Sequence, residues 1–341
     1  MSEDLTVAER AREEMRAADL RQALDRALRQ LDRAKGSRDD LVDAVYRAAR
    51  DAADTMSVPP VKPPPKPTGK GKPETAVLLV ADWQLGKTTP EYDSEVAAAR
   101  VRRYAEKAAK LIARQTVPIE EAVLLVAGDL VEGELIFPGQ QHRIDASLYR
   151  QTFEVAQLLT EIVRALLAVV PRVRVSSVIG NHGAMGGPVR REMHPETNAD
   201  AMAYQVARLL LKDEPRVDWP EPVTKGERHW HAFVEVRGRR WFLWHGDQIK
   251  GASFGYPWYG LGKRVLGWQT SLGAFDYSAA GHWHQPVRVT LNTVTHWGAG
   301  STESANTFAQ EWLASGGQEP SQWLLFQGDD GITSEWLVRV G

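Results

Sequence analysis

From residue 75 onward, short apolar runs alternate with stretches whose apolar residues recur at helical spacing. AVLLVA at 76–81, AVLLVA again at 122–127 and VRVSSVIG at 173–180 have the length and branched content of buried strands. Between them, 91–115 is an alanine-rich amphipathic helix and Ser147–Val169 a second long one, with a further helix near 198–212. Beyond that point the pattern turns to hairpin-like β: HAFVEVRGRRWFLWHG, YSAAGHWH, VRVTLNTVTHW, and a final hairpin QWLLFQGDDGITSEWLV turning at Asp330-Gly331. Parallel βαβ units followed by antiparallel strands predict an α/β protein with two stacked sheets flanked by helices.

Ahead of this domain the pattern is different. Thr6-Val-Ala-Glu9 has the form of a capping box. Leu20, Leu24, Ala27, Leu31 and Ala34 then make a helical seam that Gly36 ends, and Leu41, Val45, Ala48 and Ala52 make a second. Residues 1–56 therefore read as an N-terminal helical extension. It is either a coiled-coil or helical-hairpin module for self-association or docking on a protein partner, or a helical appendage packed on its own domain. Residues 57–74 hold seven of the 19 prolines together with Lys62, Lys66, Lys70 and Lys72, which predicts a semi-rigid extended linker to a domain spanning 75–341.

Composition narrows the chemistry. The 341 residues carry 42 Lys+Arg against 44 Asp+Glu, so no global basic field points to nucleic acid or to a membrane surface. There is no cysteine, which excludes disulfides, zinc-thiolate sites, iron–sulfur clusters and thiol nucleophiles. No apolar run approaches the roughly 20 residues of a membrane span, and the polar, acidic start MSEDLTVAER does not resemble a signal peptide. A cytoplasmic protein is the expectation.

The candidate chemistry lies just past the apolar strands. The first is followed by Asp82-Trp-Gln84, the second by Gly128-Asp129-Leu-Val-Glu132 and the third by Asn181-His182-Gly183. Later come His245-Gly246-Asp247 and Gly281-His282-Trp283-His284. In open α/β sheets ligands bind beyond the carboxyl ends of strands, so these clusters can converge. Asp82, Gln84, Asp129, Asn181, His245, His282 and His284 offer carboxylate, amide and imidazole donors of the kind divalent metals take, enough for two neighbouring ions.

D-x-[HQ], GD-x-x-[DE], GNH, HG and GHxH, in this order over residues 76 to about 300, resemble the calcineurin-like metallophosphoesterase superfamily, nearest its SbcD-like DNA-repair exonuclease branch. The resemblance implies a four-layer αββα sandwich. It implies that Asp129 bridges two divalent ions, with Asp82, Gln84 and His284 completing one shell and Asn181, His245 and His282 the other. His182 would be the general acid or a charge-stabilising residue facing the leaving group, oriented by Glu132. Such an ion pair activates a hydroxide and neutralises phosphoryl oxygens during in-line hydrolysis.

Three positions depart from the pattern: Gln84 where His is usual, Glu132 where Asp is commoner, and Gly183 where Asp or Glu usually follows. Gln84 either replaces an imidazole nitrogen by an amide oxygen or leaves that metal a water, and oxygen donors favour harder ions, Mn²⁺ foremost, with Mg²⁺, Zn²⁺ or Fe²⁺ as alternatives. Gly133-Glu134 follow Glu132 in place of the Arg-Gly of protein phosphatases, which argues against that activity. Around the expected site, Arg190 and Arg191 lie in a glycine-rich loop, and Lys250, Lys263 and Arg264 are interleaved with Phe254, Tyr256, Trp258, Tyr259 and Trp268. Basic and aromatic residues together suit a nucleic-acid strand, while the same rings also suit packing of a loop and helix onto the sheet. The expected activity is hydrolysis of nucleic-acid phosphodiesters. A small nucleotide or headgroup as substrate, or a metal-stabilised scaffold with weak catalysis, are the other readings.

Overall fold

A computed structural model describes residues 47, 50, 51, 59–65, 69–134, 136, 139–185, 197–220, 230–250, 256–306 and 319–341. The helical seams expected within 1–56 lie outside the described residues, apart from 47, 50 and 51, which are helical and exposed.

Strands β1 (Glu74–Val80), β2 (Ile119–Val126), β3 (Arg172–Ser177) and the short β4 (Val217–Asp218) run parallel in the order β1-β2-β3-β4. Helices α1 (Ser94–Ala113), α2 (Leu148–Leu167) and α3 (Ala199–Leu210) lie between them in sequence. The expected 91–115 helix is shorter because the Asp93 side chain accepts from Val96 N at 2.8 Å and caps it there. Likewise Asn198 caps α3 by accepting from Asp200 N.

The second sheet contains β5 (His231–Val236), β6 (Arg239–Trp244), β7 (Tyr277–Ala280), β8 (Val287–Leu291) and β9 (Val294–Gly298), in the order β5-β6-β7-β9-β8. Helix α4 (Trp258–Ser271) precedes β7. Two features correct the sequence-based picture. The second sheet is mixed, since β6–β7 and β7–β9 pair in parallel. The final hairpin, β10 (Ser321–Gly328) and β11 (Gly331–Arg339), belongs to the first sheet, where β10 lies antiparallel to β1. β10 is buried along its whole length, so it reads as an apolar run although it sits among residues of antiparallel type.

The core explains why AVLLVA occurs twice. Leu78, Val80, Leu124 and Val126 face the helices, packing on Val101, Tyr104 and Ile112 of α1 and Val155, Leu159 and Ile162 of α2. The intervening Val77, Leu79, Val123 and Leu125 face the second sheet, packing with Val236, Trp241, Leu243 and Trp297. A third core holds Phe242 and Trp244 against Leu261 and Val265 of α4. Helices, sheet, sheet and helix make the four-layer αββα arrangement. Strands buried on both faces lose the polar alternation of a half-exposed strand and become continuous apolar runs.

The described residues 59–65 of the proline-rich stretch form neither helix nor strand, and they are anchored to the domain. Arg164 Nη1 donates to Pro59 O at 2.8 Å, Arg216 Nη2 to Val61 O at 2.7 Å, and Val61 N to Glu214 Oε2 at 3.3 Å. Val61 packs against the helical-side core, and β1 begins at Glu74 rather than 75. Among the described residues no helix is long and apolar enough to cross a membrane.

Truncation tests the anchor. Removing 1–58 keeps these contacts and should leave the melting temperature unchanged, whereas removing 1–65 should cost about 1–3 kcal/mol, the scale of a few charge-assisted hydrogen bonds. Calorimetric unfolding of the two truncated chains checks this, and equal stabilities would show that 59–65 contributes nothing.

Candidate metal centre

Five strand ends meet at one edge of the two sheets. β1 is followed by Asp82 and Gln84, β2 by Asp129, β3 by Asn181 and His182, β6 by His245, and β7 by His282 and His284. Backbone bonds join the loops: Asp82 N donates to Gly128 O, Gln84 N to Asp129 O and Gly281 N to His245 O. Asp82, Gln84, Asp129, Glu132 and His245 are buried, and Asn181, His182, His282 and His284 are partly so. Among the described residues, eight non-glycine residues have left-handed φ, and five of them are Asp82, Gln84, Asp129, His282 and His284. Each such conformation costs about 1–3 kcal/mol and persists only where surroundings impose it, typically at functional sites.

Asp129 lies at the centre. Its Oδ1 accepts from His182 N at 2.8 Å, and its Oδ2 lies 3.0 Å from His245 Nε2. Gly180 permits this approach, because a Cβ there would run into the Asp129 carboxylate. His245 Nδ1 lies 2.7 Å from Ala127 O, so Nε2 is turned toward Asp129 Oδ2 and, at 3.1 Å, Asn181 Oδ1. His282 completes a set in which one donor atom each from Asp129, His245 and His282 lie within 4.8 Å of one another. A carboxylate, an amide oxygen and two imidazoles converging this closely fit a divalent cation, which would take the place of the imidazole proton. Burial works against charge on His245, yet Asp129 outweighs it and draws the imidazole up to about 10. Burial, reinforced by His245, holds His282 down to about 3. Burial would also raise Asp129, but His245, His182 and His282 hold its carboxyl well below the usual carboxylate range.

Asp82 and His284 form the adjoining part. Both Asp82 oxygens accept from His282 N, at 3.0 and 2.8 Å, and His284 Nε2 lies 3.6 Å from Asp82 Oδ1. Burial pushes the Asp82 carboxyl up to about 6, against the pull of His284 and His245. His284 Nδ1 lies 3.0 Å from Glu303 Oε2, a carboxylate–imidazole pair that turns Nε2 toward the site. Gln84 Oε1 accepts from Lys87 Nζ at 2.8 Å, and Gln84 Nε2 stands 3.2 Å from His284 Nε2 and 3.3 Å from His182 Nε2.

His182 and Glu132 pair as expected. His182 Nδ1 lies 2.9 Å from Glu132 O and 3.2 Å from Glu132 Oε2, and Gln140 Nε2 donates to Glu132 Oε1 at 3.0 Å. The longer Glu132 side chain therefore still reaches. Burial opposes a charge on His182, but Asp129 and Glu132 raise it to about 9, so it carries a proton at neutral pH. Gly183 also has a physical reason: a Cβ would strike the Asn198 side-chain oxygen that caps α3.

Not every expected residue joins the site. Arg190, Arg191 and Phe254 lie outside the described residues. Lys250 is exposed, and Lys263 and Arg264 are exposed on α4. Tyr256 is buried, its hydroxyl 2.8 Å from His296 Nε2, and Trp268 packs 4.8 Å from Trp244, so these two rings are core. Trp258 and Tyr259 remain 46 % and 85 % exposed.

Sequence reasoning missed Lys87, Glu303, Gln140 and above all Asp200. The Asp200 carboxylate, fully buried, accepts from the backbone N–H groups of Asp129, Leu130, Val131 and Gly180. Its place in the first turn of a capped helix was a readable signal; the loops it binds were not.

No family model matches the chain, and no curated protein matches it. Similar solved structures include a novel archaeal phosphodiesterase, 11 % identical, covering 77 % of this chain and 99 % of that one at a TM-score of 0.35. Others are zinc-complexed Vps29 from Entamoeba histolytica (12 % identity, 78 % and 98 % covered, TM-score 0.35) and the phosphoesterase Yfce from E. coli (14 %, 77 % and 100 %, 0.33). Two of the three are phosphoesterases. The SbcD-like expectation has no counterpart among them.

Asp200→Asn replaces one acceptor oxygen by a donor facing backbone N–H groups. It should cost about 1–3 kcal/mol of stability. By misplacing Asp129 it should also weaken Mn²⁺ binding about 10–100-fold. Denaturant unfolding and Mn²⁺ titration check both, and unchanged binding would mean that Asp200 does not position the loop.

Proposed function

We propose that this chain is a metal-dependent phosphoesterase that hydrolyses phosphodiester bonds, with a nucleic-acid strand as its substrate class. The observation that carries the reading is the cluster in which one donor atom each of Asp129, His245 and His282 lie within 4.8 Å of one another, with Asn181 Oδ1 3.1 Å from His245 Nε2. These four residues would hold one divalent ion, and Asp82 and His284, sharing Asp129, a second. Bound there, divalent ions supply Lewis-acid polarisation of a phosphoryl oxygen and of an attacking water. Mn²⁺ is the expected metal, because oxygen donors make up half or more of each donor set.

The chain's own residues supply the remaining chemistry. His182 Nε2 faces the site while Nδ1 is held by Glu132, so the ring presents its proton toward a departing alkoxide. Water attacks phosphorus and gives up one proton to solvent, the bond to the leaving oxygen breaks, that oxygen takes the His182 proton, and His182 regains a proton from solvent. The strand reading rests on the sequence pattern in which Lys250, Lys263 and Arg264, outside the metal cluster itself, are interleaved with the exposed Trp258 and Tyr259.

Bis-(p-nitrophenyl) phosphate hydrolysis with Mn²⁺ distinguishes an esterase from a scaffold, and cleavage of single-stranded DNA distinguishes a nuclease from an esterase of small nucleotides or headgroups. Asp129→Asn should abolish nearly all turnover and release metal; two ions retained with activity near wild type would defeat the assignment.

His182→Gln should retain metal while kcat on DNA falls about 10²–10⁴-fold. The loss should be smaller on the aryl diester, whose leaving group needs little protonation. Equal losses on both substrates would remove His182 from the leaving-group role.

A further inference from the structure

The two halves of the centre are chemically unequal. His245 Nε2 lies 3.0 Å from Asp129 Oδ2 and 3.1 Å from Asn181 Oδ1, a set that a cation would share once it takes the place of the imidazole proton. Around His284 the partners are different. Glu303 holds Nδ1 of His284, so the Nε2 lone pair is the one a cation would use, and the Gln84 amide nitrogen stands 3.2 Å from it.

The orientation of that amide is fixed. Lys87 Nζ donates to Gln84 Oε1 at 2.8 Å, and turning the amide over would set its NH₂ against an ammonium at that distance, a closer approach of donors than the 3.3 Å at which the NH₂ stands from the protonated His182 Nε2. Lys87 is fixed in turn by Glu303 Oε1 at 2.7 Å, in a contact where the two side chains are 15 % and 1 % exposed. Glu303 thus holds both Lys87 and His284. The result is a closed chain: Glu303 binds Lys87, Lys87 takes the amide oxygen, and the amide N–H groups face the imidazole. An amide held this way offers hydrogens to the cleft and no ligand oxygen. The ammonium also brings a positive charge to the side where a second cation would sit.

We infer that Gln84 is a hydrogen-bond donor locked in place by Lys87 and Glu303, not a metal ligand, so that the centre holds one divalent ion firmly at Asp129, Asn181, His245 and His282 and admits a second beside Asp82 and His284 only weakly. This rests on the proposed metal centre and specifies its stoichiometry. It also assigns Lys87 and Glu303 as positioning residues.

The full-length chain, stripped with chelator and titrated with MnCl₂ by calorimetry, should bind one equivalent tightly and a second at least about 100-fold more weakly. Elemental analysis after desalting should find one Mn²⁺ per chain. Lys87→Met frees the amide to turn and removes the competing charge, and Gln84→His supplies a nitrogen ligand. Each should tighten the second equivalent tenfold or more, with two ions then surviving desalting. Two variants acting at different atoms guard against misfolding of one, and circular dichroism confirms that both are folded. Equal affinity for two ions in the wild type, or a second site unmoved in both folded variants, would overturn the inference. Its failure is distinct from failure of the functional reading: two equally tight ions with diester hydrolysis refute only the inference, whereas one tight ion with no hydrolysis refutes only the activity.

Discussion

The buried carboxylate of Asp200 is the constraint on which the site depends. Gly128 and Asp129 turn the chain out of β2 in left-handed conformations, and the backbone N–H groups exposed by that turn need acceptors inside the protein. Asp200 supplies them from the start of α3, taking N–H groups from the loops after both β2 and β3. One side chain therefore joins two strand ends and a helix. It aims the Asp129 carboxylate at His245, and the four donors that satisfy it offset part of the cost of burying a charge.

The same logic sets the imidazoles. Each of three histidines has its Nδ1 engaged by an oxygen: Ala127 O for His245, Glu132 for His182, Glu303 for His284. That leaves Nε2 facing inward in every case, so the inward-facing atoms are set by partners behind the rings. The centre gathers acidic and imidazole groups so closely that their charges shift one another, raising His182 and His245 while His282 falls. Around Asp129 the positive charge sits on imidazoles, and His245 can give up its proton to a metal; beside His284 it sits on Lys87, an ammonium held by Glu303.

Much of this was legible from the sequence. The first strands and the donors that follow them were readable because strands buried on both faces are continuous apolar runs, and because residues that leave such a strand for a shared crevice follow it immediately in the chain. Asp82, Asp129, Asn181 and His245 were found this way, as was the order of layers. Helix ends were off by a few residues, since Asp93 and Asn198 stop the helices by local hydrogen bonds that periodicity does not record.

What tertiary structure alone decided depends on which distant residues meet. Asp200 lies 71 positions from Asp129 and nothing in its neighbours names its partners. The insertion of β10 beside β1 is likewise a pairing between the ends of the domain, and an apolar run carries no mark of which sheet will take it. Gln84 shows the division most clearly. By residue type it was a metal donor, since an amide has an oxygen to offer. Which end of that amide meets the cleft is set by Lys87 and Glu303, brought together only when the loops after β1 and β9 close on one another, because side-chain chemistry is local in sequence while its partners are local in space.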